Sequence, residues 1–209
     1  MPPRRRSPTD ATESRSALLA ATQRLMLEEG YAAVSSRRVA AEAGVNVALV
    51  YYYFDNMDEL FIALYRHGAE RNLERVEQAL EDPQPLWRLW ELTYDFSTNA
   101  LAMEFMALGN HRRAIKAEIA AYSRKLRTLQ IERFTSILEG YGVDLQRWPA
   151  ASLILVMLGT SRFLQLEESF DVEIGHADTV AVIERQIRDL EGERQPVSKV
   201  ATISLRRSS

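Results

Sequence analysis

SSRRVAAEAGVNVALVYYYFDN, residues 35–56, is the stretch on which the reading of this chain turns. Ser35 or Ser36 can cap a helix start, and Val39, Ala40 and Ala43 form a short apolar stripe behind it. Gly44 supplies the backbone freedom of a tight turn, and Val45 is the small apolar residue packed beneath it. Asn46 can cap a second short helix running to about Phe54, with Val50 and Phe54 on its buried side. Two helices of about eight residues joined through a Gly-containing turn are the pattern of a DNA-reading helix-turn-helix. Apolar helical hairpins recur in helical proteins of many kinds, so the flanks decide.

Working outward, five motifs fall in order: Gly30-Tyr31, Ser35-Ser36, Ala43-Gly44-Val45, Val50-Tyr51-Tyr52-Tyr53-Phe54 and Asn56-Met57-Asp58-Glu59-Leu60. With these at these spacings, the stretch from about residue 14 to 65 resembles the TetR (tetracycline-repressor) family of one-component bacterial regulators. Beyond residue 65 the resemblance is architectural. It implies an all-α fold, with an N-terminal three-helix DNA-binding domain and a C-terminal helical bundle for ligand binding and dimerisation. It further implies a cytoplasmic homodimer that binds a near-palindromic double-stranded operator, most often as a repressor, and is released by a small molecule.

On the second helix of such a hairpin, the first turn and its neighbours one turn on reach the groove. Here these are Asn46, Val47, Ala48, Leu49 and Tyr52, flanked by Tyr51 and Tyr53, with Ser35, Ser36 and Arg37 on the preceding helix. Successive helical residues are rotated by about 100°, so three consecutive tyrosines cannot all face inward. The resemblance implies phosphate contacts at Tyr51 and Tyr53, and places Arg37, Val47 and Ala48 near bases or backbone. The chain departs from the family pattern in two places. Val47, Ala48 and Leu49 are apolar where polar or small residues are commoner, which favours thymine methyl contacts over hydrogen bonds to bases. Met57 stands where a phosphate-binding lysine is usual.

Composition is that of a globular chain. Its 209 residues are 46% apolar and 26% charged, enough for a sizeable core. The absence of cysteine excludes disulfides, thiolate metal sites and cysteine nucleophiles. The basic start, MPPRRR, is followed by no apolar segment, which argues against a secretory signal. No run of about 18 uninterrupted apolar residues suggests a membrane span. The net charge of −3 divides unevenly: residues 1–56 hold seven Arg against six acids, the remainder 19 basic against 23 acidic residues. Positive charge therefore gathers in the leading arm, residues 1–9, and at Arg37 and Arg38. The arm reads as disordered, either a solvated tail or a minor-groove contact.

Helix 1 is expected from Asp10 to Gly30, with Glu13 completing a capping box, so the DNA-binding domain spans 10–56. Asn56 and Glu59 cap a long helix over 57–81, whose apolar stripe runs through Phe61, Tyr65, Ala69, Leu73, Val76 and Leu80. This helix opens a ligand and dimerisation domain of residues 57–192. Large adaptable side chains then cluster, and Trp87, Trp90, Tyr94, Phe105, Met106 and His111, joined by Met157, are the expected lining for an apolar or amphipathic effector. Asn99 is a further orienting group. Over 111–139 a helix carries Ile115, Ile119, Tyr122, Leu126 and Leu129 on one face. Arg112, Arg113, Lys116, Arg124, Lys125 and Arg127 read as its solvated face. Residues 150–168 are apolar all round at 153–158, which calls for a partner subunit as well as a core. A last amphipathic helix covers 177–191, and 193–209 reads as a flexible tail, with an isolated strand-like alternation at 197–205.

The rival reading is a helical-bundle enzyme or metal or ligand carrier that does not bind DNA. Ferritin-like sites need paired Glu-x-x-His motifs, and the one match, Glu173 to His176, is unpaired and contains Gly. A protein-interaction module without DNA is a third reading, disfavoured by the ordered motifs. No nucleophile elbow or phosphate loop occurs, and His67, His111 and His176 lack companions in sequence. The chain is therefore expected not to be an enzyme, and neither cofactor nor metal is expected.

Overall fold

The computed structural model describes residues 8–93 and 96–196, with side chains from 12–93 and 100–196. Among these residues the regular structure is helical: α1 (Pro8–Glu29), a short 3-10 turn (Tyr31–Ala33), α2 (Ser36–Glu42), α3 (Val47–Tyr53), α4 (Met57–Leu80), α5 (Pro85–Thr93), α6 (Phe96–His111), α7 (Arg113–Gly140), α8 (Ala150–Glu168) and α9 (His176–Glu191). The all-α expectation and its order of elements stand. Helix α1 starts at Pro8 rather than Asp10, which suits proline's tolerance for a first helical position. The capping box expected at Asp10 is thus inside the helix. The leading residues 1–7 and the alternating segment 197–205 lie outside the described residues.

Local chemistry explains the helix ends around the hairpin. Ser35 caps α2 by accepting from the Arg38 N–H, and Asn46 caps α3 by accepting from the Ala48 N–H at 2.8 Å. At the end of α2 the Gly44 N–H reaches the Ala41 carbonyl and the Val45 N–H reaches the Ala40 carbonyl. That paired closure requires a left-handed residue, and Gly44 adopts φ 65°. Asn56 then caps α4 through the Glu59 N–H, while Glu59 accepts in return from the Asp55 N–H.

The apolar interior forms two separate clusters. The first contains Leu18, Leu25 and Met26 of α1, Val39 of α2, Val50 of α3 and Leu60, Phe61 and Leu64 of α4. It also takes Phe105 and Leu108 from α6 and Ile115 from α7, so head packing does not stop at residue 56. The second lies at the far end, among Val76, Leu86, Trp87, Trp90, Phe134, Leu138, Ile154 and Ile187. Helix α8 ties into it through polar contacts: Ser161 Oγ and Gln165 Nε2 both donate to the Thr93 carbonyl at 2.8 Å. That carbonyl sits at the last residue of α5, where no helical donor remains. By length and composition α8 is apolar enough to cross a membrane. Its buried Ser161 and Gln165 and its Arg162 instead suit a helix packed in protein.

The stretch after α9 is pinned for its first few residues. Trp87 Nε1–H donates to the Gly192 carbonyl, Gln84 Nε2 to the Glu191 and Glu193 carbonyls, and Arg88 to the Gln195 carbonyl. The expected flexible tail is thus anchored against α5 over residues 193–195.

Candidate nucleic-acid interface

The surface of the hairpin is built by α2 and α3. The two arginines of α2 differ in their engagements. Arg38 forms a forked pair with Glu29 of α1, which holds the Glu29 carboxyl below its usual range. Arg37 is exposed and has no ion pair among the described residues. Arg24 similarly binds Glu42 at 2.7 Å, closing α1 on α2. The charge gathered at Arg37 and Arg38 in the sequence is therefore only half available, and Arg37 is the cation presented to solvent.

The three tyrosines separate as helical rotation requires. Tyr51 and Tyr52 are 55% and 77% exposed, so two phenols face outward. Tyr51 Oη lies 2.9 Å from Ser36 Oγ, a hydrogen bond across the hairpin that fixes the phenol beside the α2 start. Tyr53 turns inward, edge-on to Tyr52 at 5.0 Å, and its hydroxyl is closed off from solvent without a hydrogen-bond partner among the described residues. In this conformation Tyr53 is not presented to a phosphate. Val47 packs partly into the head core, whereas Ala48 and the Asn46 cap are exposed. Ser35, Arg37, Asn46, Ala48, Tyr51 and Tyr52 are thus exposed and Ser36 is joined to Tyr51, whereas Val47 and Tyr53 pack partly into the head core.

Two contacts invisible to local periodicity seat this head on the rest of the chain. Glu104 of α6 accepts from the Tyr31 N–H at 2.6 Å, and Arg112 pairs with Asp58 while lying 5.6 Å over the Phe61 ring. Partners 54 and 73 residues apart carry no short-range signal.

Residues 18–64 match the family model described as bacterial regulatory proteins, tetR family. Over these residues the chain is similar to the TetR family. Over a longer stretch it is similar to the HTH-type transcriptional repressor BepR of Brucella suis biovar 1, with 24% identity over 201 residues, covering 88% of this chain and 96% of that protein. The fatty acid metabolism regulator protein of Bacillus subtilis is 24% identical over 124 residues, 59% of this chain and 60% of that one. Among solved structures, a transcriptional regulator from Rhodococcus sp. Rha1 superposes with a TM-score of 0.66 at 19% identity, covering 87% of this chain and all of that one. A regulator from Saccharomonospora viridis in complex with choline gives a TM-score of 0.67 at 18% identity, covering 85% and 95%. The proteins it resembles are themselves described as transcriptional regulators or repressors.

The expected effector lining is not gathered into one place. Trp87, Trp90 and Met157 belong to the distal cluster, Phe105 to the head cluster. Met106 and His111 are exposed, His111 with its ring 6.5 Å from that of Tyr31. Tyr94 and the Asn99 side chain lie outside the described residues. The physical reason is that α5 and α6 diverge: their aromatic residues, near in sequence, serve opposite ends of the molecule. Two open grooves occur elsewhere. One of about 530 Å³ lies between α8 and the start of α9, bordered by Phe163, Ile174 and His176. The other, about 250 Å³, lies between α4 and α7, bordered by Leu80, Leu129 and Arg133. His176, from the rejected Glu-x-x-His match, binds Glu167 through Nε2 at 2.9 Å and faces no cluster of metal-ligating residues among the described residues.

Proposed function

We propose that the chain is a cytoplasmic one-component repressor that binds a near-palindromic operator as a homodimer and is released by an amphipathic small molecule. The observation that carries the DNA reading is the hairpin face itself. It presents an unpaired Arg37, a tethered Tyr51 and an open α3 start, the groups that phosphates and a major groove accept. Apolar Ala48 at the tip favours thymine methyl contact over hydrogen bonding.

The homodimer reading is supported by α8 and α9. Leu155, Val156 and Phe163 of α8 are 56%, 60% and 57% exposed, and Val182 and Leu190 of α9 are exposed with them. Apolar surface at this density on two neighbouring elements marks an association face. Two-fold pairing there would set two hairpins against two half-sites. Control by a small molecule is supported by relatives of the family and by the two-cluster interior, which lets the body shift against the head. A ligand acts only through its different affinities for the two arrangements, and a coupling of about 1–3 kcal/mol changes DNA affinity roughly 5- to 150-fold.

The test is selection of duplexes from a random pool, followed by footprinting of the enriched site with wild type and Arg37→Ala. Protection of two symmetric half-sites, weakened in the variant, is the expected result. Absence of any preferred site at moderate salt overturns the reading.

A further inference from the structure

Between the two apolar clusters lies a polar layer with no counterpart in the sequence reading. The charged face expected on α7 was to be solvated as a whole, yet Arg127 is half-buried and its Nη1 is closed off from solvent without a partner. One turn later on α7, Gln130 is buried, and its Oε1 also lacks a hydrogen-bond donor among the described residues. Tyr122, on the same side of α7, accepts from Asn72 Nδ2 of α4 at 2.7 Å, which leaves the phenol's own hydrogen to donate. Its ring stands 5.9 Å from that of Tyr65, which in turn packs edge-on against Phe105 at 5.1 Å.

The electrostatics of this layer are one-sided. Burial, and then the nearby charge of Arg162 on α8, lower the Arg127 pKa. The same Arg162 acts on both Tyr65 and Tyr122, whose phenols are pushed up chiefly by burial. On α7, Glu132 is exposed and makes no ion pair among the described residues, and Glu118 is already bound by Arg66 of α4 through two hydrogen bonds of 2.8 Å. Half-buried Arg127 and exposed Arg162 thus lie near enough to act on one another, and neither makes an ion pair among the described residues. An interior cation without a partner is unfavourable unless an anion completes it. A planar guanidinium fork suits a carboxylate in particular.

We propose that this layer receives the charged end of the effector: Arg127, seconded by Arg162, takes a carboxylate, and the half-buried ring of Tyr65 takes the apolar body. The assignment rests on the reading of the chain as a small-molecule-controlled regulator, and narrows the effector to amphipathic organic anions. Tyr122 then offers its phenolic hydrogen to the carboxylate. The site lies on α4, α7 and α8, so its occupation bears on α4 and α7, which also pack against the head.

The experiment titrates the full chain with three matched compounds, 4-phenylbutyrate, 4-phenylbutyramide and 4-phenylbutylamine, by calorimetry. The carboxylate is expected to bind roughly 10- to 100-fold more tightly than the amide, the scale of a charge-assisted hydrogen bond, and the amine least. Arg127→Gln should abolish that preference and, without ligand, melt no lower than wild type, because it removes an unpaired interior charge. Arg162→Gln, at an exposed position that folding does not depend on, should reduce the preference severalfold, and Lys125→Gln should leave it intact. Equal or tighter binding of the amide or amine, no carboxylate binding at millimolar concentration, equal displacement by inorganic phosphate, or a preference that survives Arg127→Gln each overturns the site. DNA binding by the ligand-free protein, and its release by whichever compound binds, are measured alongside. Release by the amide would overturn the anion site and leave the regulator reading standing.

Discussion

At the scale of single residues, what matters at the hairpin is which charges are already engaged. Arg37 and Arg38 are neighbours in sequence, but Arg38 is held by Glu29 and Arg37 is not. Arg37→Ala is therefore expected to weaken operator binding by about 1–3 kcal/mol and to lower the salt slope by about one. Arg38→Ala should leave DNA affinity nearly unchanged, and a gel-shift series across salt concentrations separates the two. Tyr51→Phe removes both the exposed hydroxyl and its bond to Ser36, so it should weaken binding by about 1–2 kcal/mol, and Ser36→Ala by less. The family resemblance singled out Arg37 and Tyr51, and rotation about a helix added only that three consecutive tyrosines cannot all face inward. Neither could separate Arg37 from Arg38, or turn Tyr53 inward, because Glu29 and the head core act through space. The Arg66–Glu118 pair gives a test in pH. Arg66 holds the Glu118 carboxyl below its ordinary 4.5, so the pair's stabilisation is complete above that value and is lost as pH falls through the lower folded one. Arg66 is largely exposed and Glu118 partly so, which limits the effect to at most about 1 kcal/mol. Thermal melts of wild type and Arg66→Gln should differ at neutral pH and converge as pH falls through the lowered Glu118 value.

Among the helices, α6 joins the head in a way that the periodicity of α4 gave no reason to expect. The sequence makes α4 the covalent link between head and body. The fold adds α6, which places Phe105 and Leu108 in the head core and Glu104 on the Tyr31 N–H. Gly30 is called for by its φ of 79°, not by space, since a Cβ there would meet Glu104 Oε2 at an ordinary contact distance of 3.6 Å. Helix positions were legible from stripe, cap and breaker, and α8 begins and ends where its composition predicts. The assignment of the α5 and α6 aromatics to one pocket failed, because periodicity says which face of a helix is buried but not which core receives it. Two substitutions follow from the α6 contact. Leu108→Ala should destabilise the protein by about 2–5 kcal/mol in denaturant titrations, as a buried Leu in a packed core does. Glu104→Gln keeps the volume and loses the charge on the Tyr31 bond, so it should leave folding intact while altering the difference in DNA affinity between ligand-bound and ligand-free protein.

For the whole molecule, the account joins three parts: a hairpin face for DNA, a polar layer between two cores, and an exposed apolar side on α8 and α9. None suffices alone, since one hairpin presents a single short helix to the groove, and specificity for a palindrome needs two. Leu155→Glu combined with Phe163→Glu should shift the protein to monomer in sedimentation without unfolding it, because both side chains are exposed in the single chain. The same variant should lose most of its operator affinity. Arg188→Ala, whose partner Glu193 is itself exposed, should change neither. The most direct test of the central claim is quantitative footprinting on the duplex that wild-type protein enriches from a random pool, with the Leu155→Glu/Phe163→Glu variant beside it. The account predicts two symmetry-related half-sites protected together by wild type, and neither protected by the variant at the same concentration. Protection of a single asymmetric site, equal for both proteins, would contradict it.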